Sequence, residues 1–150
     1  MKVLDVSKDE TISLVTDGDT VVRYANPENP KEYFLIEAKN KNTLGNSALK
    51  SEKGLLIWHV DESNGASNTK PQMTTESHYA HSIEQADGKF DLELQGPKSD
   101  AGDLYGIGDA FTNQSKPSSK WWSGEASGLS ITEIKFLDQE DKISFKVSAN

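Results

Sequence analysis

Apolar residues in this chain come in short runs, and turn-forming residues separate them. That spacing constrains the fold more than any other feature. No apolar stretch approaches the roughly 20 residues a membrane-spanning helix needs, and no long run repeats at helical spacing. Where polar and apolar residues alternate, they do so with a period of two, as in Ile143, Phe145 and Val147, the signature of a half-buried strand. Tyr33-Phe34-Leu35-Ile36 and Leu55-Leu56-Ile57-Trp58 with Val60 are continuously apolar. They read as central strands covered on both faces.

The turns point the same way. Asp17-Gly18-Asp19 lies between Ile12, Leu14 and Val21, Val22, Tyr24, which predicts a hairpin. Leu129 and Ile131 alternate, then Ile134 and Phe136 continue on the other phase, so a bulge is expected near Thr132-Glu133. Asp138 to Asp141 then turns the chain into its last strand. A short helix is expected around Ser47 to Lys50. The expected fold is a single all-β domain over residues 1–150, an antiparallel β-sandwich of about eight strands with long acidic irregular loops. Its expected core is Leu14, Val22, Phe34, Ile36, Leu56, Trp58, Ile83, Ile131, Phe145 and Val147.

At 150 residues one domain is the natural size. The net charge of −8 repels phosphate backbones and argues against nucleic-acid partners. No basic-then-apolar leader opens the chain, and nothing suggests a membrane partner. Cysteine is absent, which removes disulfides, thiolate metal sites and cysteine nucleophiles together. There is no Gly-x-Ser-x-Gly elbow and no phosphate-binding Gly-x-x-x-x-Gly-Lys loop.

The metal-ligating residues are few. His-Glu-x-x-His, which sets two zinc ligands one helical turn apart, does not occur. His59 and Asp61 share a face of their strand and together form a candidate ligand-binding or metal pair. The plainer reading is a histidine hydrogen-bonded to a nearby carboxylate. Calcium suits the chain better. Between residues 84 and 109 seven acidic residues face only Lys89 and Lys98, and calcium takes its six to eight oxygens from such aspartate-rich, glycine-rich loops. An EF-hand register is excluded, because counting from Asp87 puts lysines at its third and twelfth positions. The other candidates are Trp121 and Trp122, which point to opposite sides if extended. One then belongs to the core. The other packs at an interface or stacks on a sugar ring.

Several motifs in order resemble a known family. They are Glu32-Tyr33-Phe34-Leu35-Ile36-Glu37, Gly54-Leu55-Leu56-Ile57-Trp58-His59-Val60-Asp61-Glu62, Glu84-Gln85-Ala86-Asp87-Gly88, Asp100-Ala101-Gly102-Asp103-Leu104 and Ser127-Gly128-Leu129-Ser130-Ile131. Together they resemble the segment that follows the catalytic core in M6-family metallopeptidases, the immune inhibitor A group. The resemblance runs from about residue 3 to the end. The Leu-Ile-Trp-His-Val-Asp-Glu and Gln-Ala-Asp-Gly stretches are its most specific parts. It departs at Ala38-Lys39-Asn40, at Ser99 and at Leu104 to Gly108.

The resemblance implies a secreted, zinc-dependent bacterial endopeptidase as parent, whose zinc motif lies upstream. This chain is then a noncatalytic accessory domain, with the parent's catalytic domain as partner. With the charge density, the resemblance places calcium on Asp87, Asp91, Asp100 and Asp103. The alternatives are a carbohydrate- or cell-surface-binding module using Trp121 or Trp122, and an enzyme built on His59, Asp61 and a metal.

Overall fold

A computed structural model describes residues 1–40, 53–64, 78, 80–86 and 104–149. They form two facing β-sheets. The strands are β1 (Lys2–Asp5), β2 (Glu10–Val15), β3 (Thr20–Ala25), β4 (Glu32–Asn40), β5 (Lys53–Asp61), β6 (His81–Ile83), β7 (Leu129–Leu137) and β8 (Lys142–Ala149). One sheet has the order β1-β3-β4-β5-β6 and the other β2-β8-β7. All pairs are antiparallel except β1 with β3. The all-β sandwich expected from the periodicity is the observed fold.

Alternation decides what each strand buries. Val22 and Tyr24 of β3, Phe34, Ile36 and Ala38 of β4, and Leu55 and Ile57 of β5 point into one core. Ile12 and Leu14 of β2, Leu129, Ile131 and Ile134 of β7, and Ile143, Phe145 and Val147 of β8 meet them from the second sheet. Burying side chains of this size stabilises by roughly 1.5–3 kcal/mol each before chain entropy is counted. The terminal hairpin forms as its sequence indicates. A register shift separates Thr132 from Lys135, and Glu133 takes a positive φ of 51°. That bulge lets Ile131 and Ile134 both reach the core.

Two expectations need correction, and a third is not reached by the described residues. Asp17-Gly18-Asp19 is a turn but not a hairpin: β2 pairs with β8 and β3 with β4, so the chain changes sheets there. Asp17 adopts a φ of 56°, and its N–H bonds to the Ala38 carbonyl on the neighbouring strand. The Thr16 N–H bonds to Asp141 of the second sheet. Those two bonds splay the flanking strands apart. Trp58 and Ile83 are half-buried rather than core, since they pair on the outer face of the first sheet. The helix expected at Ser47 to Lys50 lies outside the described residues.

The segment from Leu104 to Gly128 fastens the two sheets together at one side. Tyr105 exchanges two backbone hydrogen bonds with Leu55 of β5, and Phe111 exchanges two with Ile131 of β7. β6 covers only the Trp58 to Val60 part of β5, so Leu55 is free to take this second partner. The close approach requires Gly54, where an added Cβ would lie 2.7 Å from Leu104 Cβ and 2.8 Å from the Tyr105 carbonyl oxygen. Tyr105, Phe111 and Trp121 all deliver their rings into the core.

Candidate functional site: a doubly bonded histidine beneath two tryptophans

Sheet register builds the site. On the core face, His59 of β5 stands opposite Phe34 of β4 on one side and Ser82 of β6 on the other. Glu32, two residues before Phe34, is opposite Asp61 and diagonal to His59. Glu84, just past β6, is diagonal to it from the other side, its N–H bonded to the Ile57 carbonyl. Diagonal neighbours on a sheet face are within reach of long side chains. His59 Nε2 is 2.8 Å from Glu32 Oε1, and Nδ1 is 3.0 Å from Glu84 Oε1. His59, Glu32 and Glu84 are 2%, 5% and 6% exposed, so water does not compete for these bonds.

Both partners of the imidazole are carboxylates, which accept and do not donate when ionised. Two N–H groups satisfy them, and that is the imidazolium. Burial pushes the His59 pKa down, but the hydrogen bonds and charges of Glu32 and Glu84 outweigh it and hold the group above its ordinary value. A second couple adjoins the first. His78 Nε2 is 2.8 Å from Asp61 Oδ2, and the other Asp61 oxygen accepts from the Ser63 hydroxyl and backbone N–H. Burial pushes the Asp61 carboxyl up, but the bonds from Ser63 and His78 win and hold it below its ordinary value.

The two tryptophans divide as their adjacency requires. Trp121 is core: its ring stacks at 5.1 Å on Phe34 and at 5.8 Å on Tyr24. Trp122 turns back over the polar cluster. Its ring stacks on His59 at 4.9 Å and on His78 at 4.0 Å, both within 12° of parallel. Its backbone N–H donates to Glu32 Oε1 at 2.7 Å, the same oxygen that His59 holds. Among the described residues its buried indole N–H has no acceptor. A tight turn follows, in which the Gly124 N–H bonds to the Trp121 carbonyl at a φ of 90°. Over this cluster lies a shallow depression of about 300 Å³, lined by His59, Glu84, Lys120 and Trp122 among others.

His59 and Asp61 do share a face, but they take different partners and do not converge on one point. The histidine-with-carboxylate reading holds. Its carboxylates are Glu32 and Glu84, which sequence reasoning did not single out. Both sit in apolar contexts, Glu32 beside Tyr33-Phe34 and Glu84 beside Ile83. Among the described residues no group of three or more His, Cys, Asp or Glu side chains is arranged to hold a metal ion. Asp87, Asp91, Asp100 and Asp103 lie outside the described residues. Trp121 is too engaged in the core to serve as a sugar platform.

No family model matches this chain, and no curated protein or solved structure matches it either.

Proposed function

We propose that this chain is a noncatalytic accessory domain of a secreted M6-type zinc peptidase, stabilised by calcium, that supports the catalytic domain or helps position its substrate. One observation carries the reading. Three motif stretches of the resemblance, separated in sequence, supply Glu32, His59 with Asp61, and Glu84 to a single buried cluster. Such a cluster gives these motifs a scaffolding task. An imidazole bonded at both nitrogens to buried carboxylates has no free lone pair to act as base or ligand, which disfavours an enzyme built on His59 and Asp61. The carbohydrate-binding alternative draws less support, since the ring of Trp121 and that of Trp122 are both already stacked against protein rings.

The calcium part of the proposal rests on donor chemistry. Carboxylates at Asp87, Asp91, Asp100 and Asp103 are the hard oxygen ligands calcium prefers, and a bound ion would offset the repulsion within an acidic stretch.

Two measurements test the reading. The isolated chain, supplied with zinc and calcium, should leave casein intact. It should bind a separately produced M6-type catalytic domain in isothermal titration calorimetry. Casein hydrolysis that His59→Ala abolishes would overturn the proposal, as would calorimetry showing no heat of binding at micromolar concentrations.

A further inference from the structure

We propose that Glu32, His59 and Glu84 form a proton-operated latch that holds Trp122 and the turn it opens, residues 122–124, against the first sheet and releases them when His59 loses its proton. The inference stands apart from any peptidase context, because it rests on the geometry of this cluster alone.

Three contacts seat Trp122 on the sheet: its N–H to Glu32 Oε1, and its ring on His59 at 4.9 Å and on His78 at 4.0 Å. The His59 proton bears on the first two. Nε2–H to Glu32 and Nδ1–H to Glu84 both need the imidazolium, since each faces a carboxylate oxygen, so the proton fixes the Glu32 oxygen on which Trp122 hangs. The Trp122 ring over His59 gains a cation–π component only while the imidazole is charged. Removing the proton sets a nitrogen lone pair against a carboxylate lone pair. It also leaves two buried carboxylates with no cation between them. Those charges then require water.

Among the described residues the other charged groups around His59 do not replace the lost cation. Asp61, on the same strand, adds negative charge and is committed to His78 and Ser63. His78, which stacks on the same Trp122 ring, is bonded to Asp61. Lys120, two residues before Trp122, lines the depression but is exposed. Water therefore enters through the depression, whose wall is the turn. Two features make the turn the part that moves. Among the described residues the Trp122 indole N–H has no acceptor while buried, and it gains water on exposure. Among those residues the turn also belongs to no strand ladder, and the isolated bridge beside it joins Lys120 to Ala126. Trp121 stays behind, stacked on Phe34 and Tyr24 in the core.

The test is a pH titration of the intact chain by NMR from about pH 5.5 to pH 10. It follows the His59 ring carbon-bound protons and the Trp122 indole N–H together, in the native chain and in Glu84→Gln. Glutamine keeps an acceptor for Nδ1–H but removes one charge. The expected result is a Trp122 transition that coincides with His59 titration while the rest of the spectrum stays dispersed. In the variant that transition should move to lower pH by at least about one unit. Glu32→Gln provides the same comparison should Glu84→Gln fail to fold. A Trp122 signal unmoved through His59 titration overturns the proposal. So does an unchanged midpoint in the variants, or global loss of dispersion at the same pH.

Discussion

Glu32 and Trp122, 90 residues apart in the chain, meet at 2.7 Å through the Trp122 backbone N–H and Glu32 Oε1. The same oxygen accepts from His59 at 2.8 Å. One carboxylate oxygen therefore ties β4, β5 and the segment that fastens the two sheets. Glu32→Ala should leave His59 half-paired in a buried site, and breaking such a pair costs about 3–5 kcal/mol. Asp5 and Arg23 form an ion pair of comparable length, 2.6 Å, but they are exposed. Arg23→Ala should cost no more than about 1 kcal/mol. Urea denaturation of the two variants side by side checks the contrast, and similar losses would show that burial is not what gives the cluster its weight.

Gly54 sits where two backbones nearly touch. Gly54→Ala pushes a methyl group into Leu104 Cβ and the Tyr105 carbonyl. Overpacking of this kind costs about 1–3 kcal/mol. The specific consequence is local. Amide exchange at Leu55 and Tyr105 should accelerate more than at Val22 or Phe145. Uniform acceleration would mean that the contact has no separate identity.

Stability should fall on both sides of a mildly acidic optimum. His59 is held above its ordinary value of 6.5, so its contribution is complete below that pH and disappears as the pH rises through its folded value. Asp61 is held below its ordinary value of 3.8, so its contribution is complete above that pH and fades as the pH drops through its folded value. Melting temperature measured across pH 3 to 10 in His59→Gln should lose the alkaline limb and keep the acidic one. Retention of the alkaline limb would assign it to other groups.

Calcium at about a hundred times its dissociation constant should stabilise the fold by about 2.7 kcal/mol, a rise of roughly 5–10 °C in Tm for a domain of this size. EDTA should reverse it, and Asp100→Ala with Asp103→Ala should abolish it. Equal Tm values with calcium and with EDTA would leave the carboxylates as a solvated stretch.

Periodicity made the sheets legible and left the site half hidden. Ile143, Phe145 and Val147 alternate because one face is wet, so their strand can be read directly. The bulge at Glu133 is equally visible, as a phase change between Ile131 and Ile134. Pairing is a different matter. Asp17-Gly18 encodes a reversal of direction, but whether β2 joins β3 or crosses to β8 depends on partners more than a hundred residues away. The site was partly visible for the same reason. His59 and the two tryptophans draw attention by residue type. Glu32 and Glu84 are ordinary surface residues by composition, and only register brings them to His59. Trp58 misled because the run around it is apolar throughout, while its indole N–H in fact reaches Glu37 on the outer face.

The pairing of β2 with β8 has a consequence for biosynthesis. β2 leaves the ribosome long before its ladder partner among the described residues, β8, which spans Lys142–Ala149. The first sheet can assemble from sequential neighbours β3, β4 and β5 while translation continues. Ile12 and Leu14 must wait for that strand until Lys142–Ala149 has been made. Contacts this distant in sequence slow folding, and an unpaired apolar strand held open that long is a natural substrate for chaperone capture. Nascent chains of this protein truncated before Lys142 should therefore stay protease-sensitive around β2 and be the species on which misassembly begins.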